Sequence, residues 1–246
     1  MIDKANKVAI VTGGSRGIGA VVAERLARDG FAVIVNYSAN AAHAETLVRQ
    51  IEARGGRALA ARADVSDPDA MRGMFDAAER ALGGIDVLVN NAGIMKLARV
   101  ADSDDESLDQ QIAVNLKGSF YGMRVAARRL RDGGRVVNFS TSVVGTKLET
   151  YSIYAATKAA VEMMTAILAK ELRGRNITVN AVAPGPVTTE LFLTGKSAEL
   201  IELMAKMSPM ERLGTPEDIA SVVSFLVGPD GGWINGQVLR ANGGLV

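Results

Sequence analysis

The sequence predicts an α/β protein, a doubly wound fold of three layers in which a seven-stranded parallel sheet carries helices on both faces. Three observations lead there. Seven short runs rich in β-branched and other apolar residues recur along the 246 residues. Between them lie longer stretches whose apolar residues fall at three- and four-residue steps, the helical period. The strand candidates read as nearly continuous apolar runs, as strands covered on both faces should. Regular β-α alternation also implies parallel neighbours, which need crossover connections.

In order, the strand candidates are "KVAIVT", "FAVIVN", "RALAARADV", "IDVLVNNAG", "RVVNFST", "ITVNAVAPG" and "GQVLRA". Helical periodicity covers Ala20 to Asp29, Ala41 to Arg54, Asp69 to Leu82, Ser107 to Arg131 and Ser152 to Arg173. No linker, low-complexity tract or internal repeat interrupts the alternation, so 1–246 reads as a single domain. Only 188–214, "TTELFLTGKSAELIELMAKMSPMERLG", breaks the rhythm. It predicts one or two short helices rich in Leu and Met, either a surface excursion packed by its own apolar face or a mobile lid.

Composition narrows the function. With 48% hydrophobic and 22% charged residues and a net charge of +1, the chain reads as a soluble globular protein with a large core. Nothing in that charge favours nucleic acid or an anionic membrane as a partner. Cysteine is absent, which excludes disulfides, thiolate nucleophiles and cysteine-ligated metals. The single His43, in "AAHAET", reads as a helix-surface residue, and no metal site is expected. No apolar run approaches the ~18 residues of a membrane span. The start "MIDKANK" lacks the apolar centre of a secretory signal, so the cytoplasm is the expected compartment.

The stretch "TGGSRGIG", 12–19, follows the first strand and precedes the first helix. Strand, glycine loop and helix together bring a dinucleotide pyrophosphate against bare amides at a helix N-terminus, where unpaired N–H groups and the helix dipole favour an anion. The fold is therefore expected to be Rossmann-like. Gly13, Gly17 and Gly19 follow the spacing G-x-x-x-G-x-G; Gly14 and Gly17 are expected to supply positive φ and close approach, and Gly19 to let the helix sit near the sheet. Ser15, Arg16 and Ile18 complete the expected cofactor contacts of the loop. At the end of the second strand stand Asn36, Tyr37 and Ser38, with no carboxylate to repel a 2′-phosphate. Arg16 supplies a cation and Ser38 a hydroxyl, which argues for NADP(H).

In "YSIYAATKAAVE", Tyr154 and Lys158 are four apart on one helix face. An ammonium beside a phenol favours the phenolate and is expected to draw its pKa down from about 10. Tyr151 has no lysine four residues on, so Tyr154 is the better general acid or base. Upstream, "NFSTSVVG" offers hydroxyls at Ser140, Thr141 and Ser142 near the carboxyl edge of the sheet, where ligands of such folds bind.

Taken together, these residues resemble the short-chain dehydrogenase/reductases, and most closely the 3-oxoacyl-carrier-protein reductase type, over essentially the whole chain. The likeness rests on "TGGSRGIG", Asp64 with Val65, "NNAG" at 90–93, Asn115 in "VNLKG", "STSVVG", Tyr154 with Lys158, "PGPVTT" from Pro184, and "GQVLRANGG". It implies that Asp64 and Val65 meet the adenine and that Asn91, Ala92 and Gly93 lie on the adenosine ribose side. It also implies that Pro184, Gly185, Thr189 and the Val187 amide reach the nicotinamide end, with Lys158 on the nicotinamide ribose. The family's catalytic serine stands thirteen before the tyrosine, which is Thr141 here, whereas the serine followed by two residues and glycine is Ser142, twelve before. Ser142 is the favoured hydroxyl, Thr141 the alternative, and Ser140 a strand-end residue. Asn115 is implied to mark a distorted helix whose exposed carbonyl holds a water that relays protons to Lys158.

The implied reaction is hydride transfer to a carbonyl carbon while Tyr154 gives a proton to the oxygen and Ser142 hydrogen-bonds it. The leading expectation is an NADPH-dependent carbonyl reductase acting on a small ketone, a 3-oxoacyl thioester among the candidates. An NAD(H)-dependent alcohol dehydrogenase and a non-catalytic NADP(H)-binding sensor or scaffold are the alternatives. Leu191, Phe192, Leu193, Met204 and Met207 of the insert suit an apolar substrate, or pack the insert itself. The helix of Tyr154 is apolar on too many sides for one stripe against a sheet, which implies a homo-oligomer, and the resemblance implies a tetramer. A partly exposed, alanine-rich helix in a monomer is the other reading.

Overall fold

The computed structural model describes residues 7–246, so the reading of the start "MIDKANK" falls, for residues 1–6, outside the described residues. Among the described residues seven strands form one parallel sheet: β1 (Val8–Val11), β2 (Ala32–Tyr37), β3 (Arg57–Arg62), β4 (Ile85–Asn90), β5 (Leu130–Phe139), β6 (Thr178–Pro184) and β7 (Val238–Ala241). Their order across the sheet is β3-β2-β1-β4-β5-β6-β7. The first helices are α1 (Gly17–Arg28), α2 (Ala41–Ala53), α3 (Pro68–Leu82), α4 (Asp105–Gln111) and α5 (Ser119–Arg129). They are followed by α6 (Val143–Thr146), α7 (Ser152–Glu171), α8 (Glu190–Leu193), α9 (Ala198–Lys206) and α10 (Pro216–Val227). None is long and apolar enough to cross a membrane.

Alternation along β1 shows why three layers form. Ala9 and Val11 pack with Val22 and Leu26 of α1, Leu47 of α2 and Val223 of α10 on one face. Val8 and Ile10 pack with Met71 and Phe75 of α3, Met123 of α5 and Leu168 of α7 on the other. Successive side chains of a strand point to opposite faces, so a strand apolar at every position must be covered twice. Full burial of side chains such as Leu26 and Phe75 contributes about 1.5–3 kcal/mol each. The interior strands β1, β4 and β6 are buried throughout, whereas the edges depart from the expected continuous runs. In β3 the arginines and Ala60 reach solvent, and β7 is only half-buried. An edge strand lacks one neighbour, so part of its surface stays wet.

Two boundaries differ from the periodicity. The stretch from Ser107 to Arg131 is not one helix: α4 passes into a wide π-helical turn at Ile112–Gly118 before α5, and Leu130 already pairs with Ile85 as the start of β5. The turn holds Asn115, whose side chain is fully buried. α10 lies outside the periodic segments, yet its start is encoded in "TPED". The Thr215 hydroxyl accepts from the Asp218 amide, the Asp218 carboxylate accepts from the Thr215 amide, and Pro216 occupies the first turn.

The strand order reverses at β1, between β2 and β4, and opens a crevice at the carboxyl ends. Every candidate site segment leaves the sheet on that side.

Candidate active site

The glycine loop is built as a cradle. Gly13 and Gly17 adopt φ of 60° and 54°, which favour glycine. Gly14, expected to do the same, does not; it is needed for space, since a Cβ there would lie 2.8 Å from Val11 O. At Gly19 a Cβ would collide with Gly13 O and the Asn91 amide. Arg16 precedes α1 without a side-chain cap, and the first turn holds no acid, so the leading amides of α1 are open to an anion.

Two asparagines brace this loop. Asn36, fully buried, accepts from Gly13 N at 3.0 Å and donates to Ala61 O and Ala63 O at 3.2 and 3.0 Å. Asn91 donates to Thr12 O and Gly13 O at 3.0 and 3.1 Å, while Thr12 Oγ1 accepts from the amides of Asn91 and Ala92. The side chain of Asn36 is thus committed inside the protein. That of Asn91 fixes the loop, and the residue also lines the crevice. Asp64 accepts from the amide and hydroxyl of Ser66 in an exposed turn, and Val65 lies beneath Gly118, where a Cβ would come within 2.8 Å.

At the end of β2, Tyr37 packs against the core and Ser38 is exposed. Arg16 lies 3.8 Å from Glu190 of α8, and with both side chains largely in water this pair holds it weakly. Arg62, which spacing did not reveal, pairs in register with Tyr37 and donates from Nε to Ser38 O at 3.3 Å. Only the β2–β3 register brings this second cation to that edge. The bare cradle, the uncapped helix and two arginines without a carboxylate at the strand end fit a dinucleotide with a 2′-phosphate.

Across the crevice, Thr141, Ser142 and Tyr154 line the same cavity, and the Thr141 hydroxyl adjoins the Tyr154 phenol. Ser140 and Ser142 extend the ladder of β5 onto β6 through their amides, at 2.8 and 2.9 Å from Val182 O and Pro184 O. The Ser142 hydroxyl donates to Ala183 O at 3.2 Å and accepts from Asn242 Nδ2 at 2.9 Å, and the residue lines the cavity. Ser140 donates to Glu162 of α7 at 2.5 Å.

Tyr154 is half-buried at the wall of the crevice, edge-on to Tyr151 at 6.4 Å between ring centroids. Burial pushes its phenol up to about 12, against the opposing pull of the Thr141 hydrogen bond. This reverses the expected downward shift, because desolvation of the phenolate outweighs its neighbours. Lys158 is buried, donates to Phe139 O at 2.9 Å and stands 5.8 Å from the Tyr154 ring centroid. Burial lowers it to about 8. At neutral pH the phenol therefore holds its proton, the state that a proton donor requires.

Asn115 lies behind this pair. Its amide donates to Ile94 O and Thr157 Oγ1 at 2.9 and 3.3 Å and accepts from Ile94 N at 2.8 Å, so it ties the loop after β4 to α7. Its carbonyl, in the π-helical turn, accepts from Ser119 Oγ at 2.7 Å. Gly93 leaves room here: a Cβ would stand 3.3 Å from Asn115 Oδ1 and 3.4 Å from Lys158 Nζ.

One cavity of about 990 Å³, counting its open mouth, joins Thr141, Tyr154 and Lys158 to Ile18, Gly93, Pro184, Gly185, Val187 and Thr189. Thr189 accepts from Phe192 N as the cap of α8. Leu191, Phe192, Met204 and Met207 of the insert form the outer wall. Neither α8 nor α9 has a fully buried residue; Ile201, Met204 and Ala205 of α9 are half-buried.

Comparison with known proteins agrees with this geometry. A family described as enoyl-(acyl carrier protein) reductase matches residues 13–246. A short-chain type dehydrogenase/reductase of Picea abies is 46% identical, over 98% of this chain and 92% of its own. An NADPH-dependent aldehyde reductase-like protein, chloroplastic, of Arabidopsis thaliana is 44% identical, over 98% of this chain and 95% of its own. The crystal structure of a short chain dehydrogenase from Burkholderia cenocepacia in complex with NADP superposes with a TM-score of 0.93 at 39% identity, covering 98% of both chains. With the glycine cradle at the sheet crevice and Tyr154 and Lys158 across from it, this chain belongs to the short-chain dehydrogenase/reductase family.

Proposed function

We propose that the protein is an NADPH-dependent carbonyl reductase. The observation that carries this reading is the placement of Tyr154 and Thr141, backed by the buried Lys158, on the cavity that adjoins the glycine cradle. Gly13, Gly17 and Gly19 hold the pyrophosphate, with Arg16 and Arg62 for the 2′-phosphate. When bound, the cofactor supplies the hydride for the carbonyl carbon. As negative charge grows on the carbonyl oxygen, Tyr154 donates its proton and Thr141 hydrogen-bonds the same oxygen. Lys158 stabilises the phenolate left behind, and Asn115 holds the loop of Gly93 and Ile94 against α7.

Two relatives support the choice of cofactor, one by its name and one by its bound NADP. Apart from Lys158 the cavity lining carries no ionisable group but tyrosine, which suits an uncharged, apolar carbonyl compound; a 3-oxoacyl thioester is one such class. The insert 188–214 acts as the lid, its neck held where Thr188 N and Gly214 N bond to Gly214 O and Pro186 O at 3.0 and 2.9 Å. The outward side of α7 exposes Met163 and Ile167, which supports a homo-oligomer, taken to be a tetramer.

A panel of apolar ketones and aldehydes, followed by loss of NADPH absorbance, tests the reading. NADPH consumption that exceeds NADH consumption is the expected outcome. No consumption with any carbonyl compound, or a preference for NADH, would overturn it.

A further inference from the structure

One part of the cavity wall comes from far along the chain. Leu245 faces the cavity, carried by the segment that follows β7. That segment is fastened at several points. Ser208 Oγ, just past α9, donates to Gly243 O at 2.8 Å. Asn242 Nδ2 donates to Val246 O at 3.3 Å while its Oδ1 accepts from Gly244 N at 3.0 Å. The compact turn so closed needs φ of 65° and 88° at Gly243 and Gly244. Val246 meets α6 where a Cβ on Gly145 would stand 2.6 Å from its Cγ2.

Asn242 also reaches the loop that carries Thr141. Its Nδ2 donates to Ser142 Oγ at 2.9 Å, and it packs on Gly185, where a Cβ would lie 2.8 Å from its own. The Ser142 hydroxyl thus anchors this segment. On the opposite wall Met204 and Met207 come with α9, which has no fully buried residue, and the two walls join where Ser208 of the same insert bonds to Gly243. Unbranched, flexible methionine adapts to what it meets, while a fixed aliphatic side chain excludes by size.

We propose that Leu245 is the specificity-determining residue of the carbonyl pocket and that Asn242 is the positioning residue that holds it. Together they form a rigid wall that limits how large an uncharged, apolar carbonyl compound can be and still reach Tyr154. The inference rests on the reductase reading of the same site.

The test compares cyclohexanone with 4-phenylcyclohexanone, which share a reacting ring and differ in bulk. Two ratios of bulky over compact ketone are read. One is kcat/KM with NADPH; the other is binding to the NADPH-loaded protein, followed by quenching of the cofactor's fluorescence. Leu245→Ala should raise both ratios about tenfold and Leu245→Trp should lower them about tenfold, the scale expected when a pocket gains or loses a few methylenes. Asn242→Ala, which leaves Leu245 in place but unfastened, should move the ratios as Leu245→Ala does. Ratios that stay fixed in all three variants, with NADPH affinity retained, would overturn the proposal even if NADPH is consumed. Binding ratios that shift in a protein with no turnover would support the wall and overturn the reductase reading alone.

Discussion

The floor of the crevice and the flap above it are made in opposite ways. Around the glycine loop, Thr12, Asn36 and Asn91 are linked to backbone partners at or just past the carboxyl ends of β1, β3 and β4, and the cradle admits no added Cβ at Gly19. In 188–214, by contrast, Leu191, Leu203 and Met210 are each more than half exposed, at 52%, 61% and 62%, and α9 buries no residue fully. A cofactor of constant shape can be met by a rigid, fully bonded surface. A carbonyl compound that must enter and leave is served by a surface with little to lose on moving.

The contrast can be broken at several points. The largest effect is expected at the hydroxyl beside Tyr154. Thr141→Ala should lower kcat/KM about 100-fold, as loss of a donor to a developing oxyanion does, and Ser142→Ala by less than about tenfold. Steady-state kinetics on both variants decide between them; the reverse order would return the role to Ser142. Next comes the cradle. Gly19→Ala forces a Cβ onto Gly13 O, an overpacking that costs about 1–3 kcal/mol and should weaken NADPH binding about five- to 160-fold by calorimetry. Unchanged affinity would show that the floor yields as the flap does.

The pH profile gives a smaller, graded change. Lys158 sits near 8 and Tyr154 near 12, so ketone reduction should be flat through neutrality and decline as pH rises through about 8, where the ammonium behind the phenol is lost. A decline that begins only above pH 10 would remove Lys158 from the account. The smallest effect belongs to the flap: Leu203→Ser should change stability by no more than about 0.5 kcal/mol in urea unfolding. A loss of several times that would mean that the flap is packed.

Much of the floor could be read from the chain itself, because its signals are local. An apolar run, four glycines and a helical period sit side by side, and all seven strands stand where such runs occur. Residues whose roles depend on distant partners could not be read this way. Spacing alone could not show that Ser142 is bonded to Asn242, a hundred positions on. Arg62 reaches the cofactor edge only through the register of β3 on β2. Asn36 resembles a cofactor contact until its amide is seen bonded to Ala61 and Ala63. The direction of the Tyr154 shift failed for a related reason. The sequence displays the neighbouring lysine, but burial is a property of the packed fold.

The central claim is that the floor presents a protonated phenol to a carbonyl oxygen beside bound cofactor. Single-turnover oxidation of NADPH by Tyr154→Phe, with a ketone that the unaltered enzyme reduces, tests it most directly. A rate lowered about 10²–10⁴-fold, with NADPH affinity kept within a few-fold, is the predicted result. Oxidation at the original rate would contradict the account.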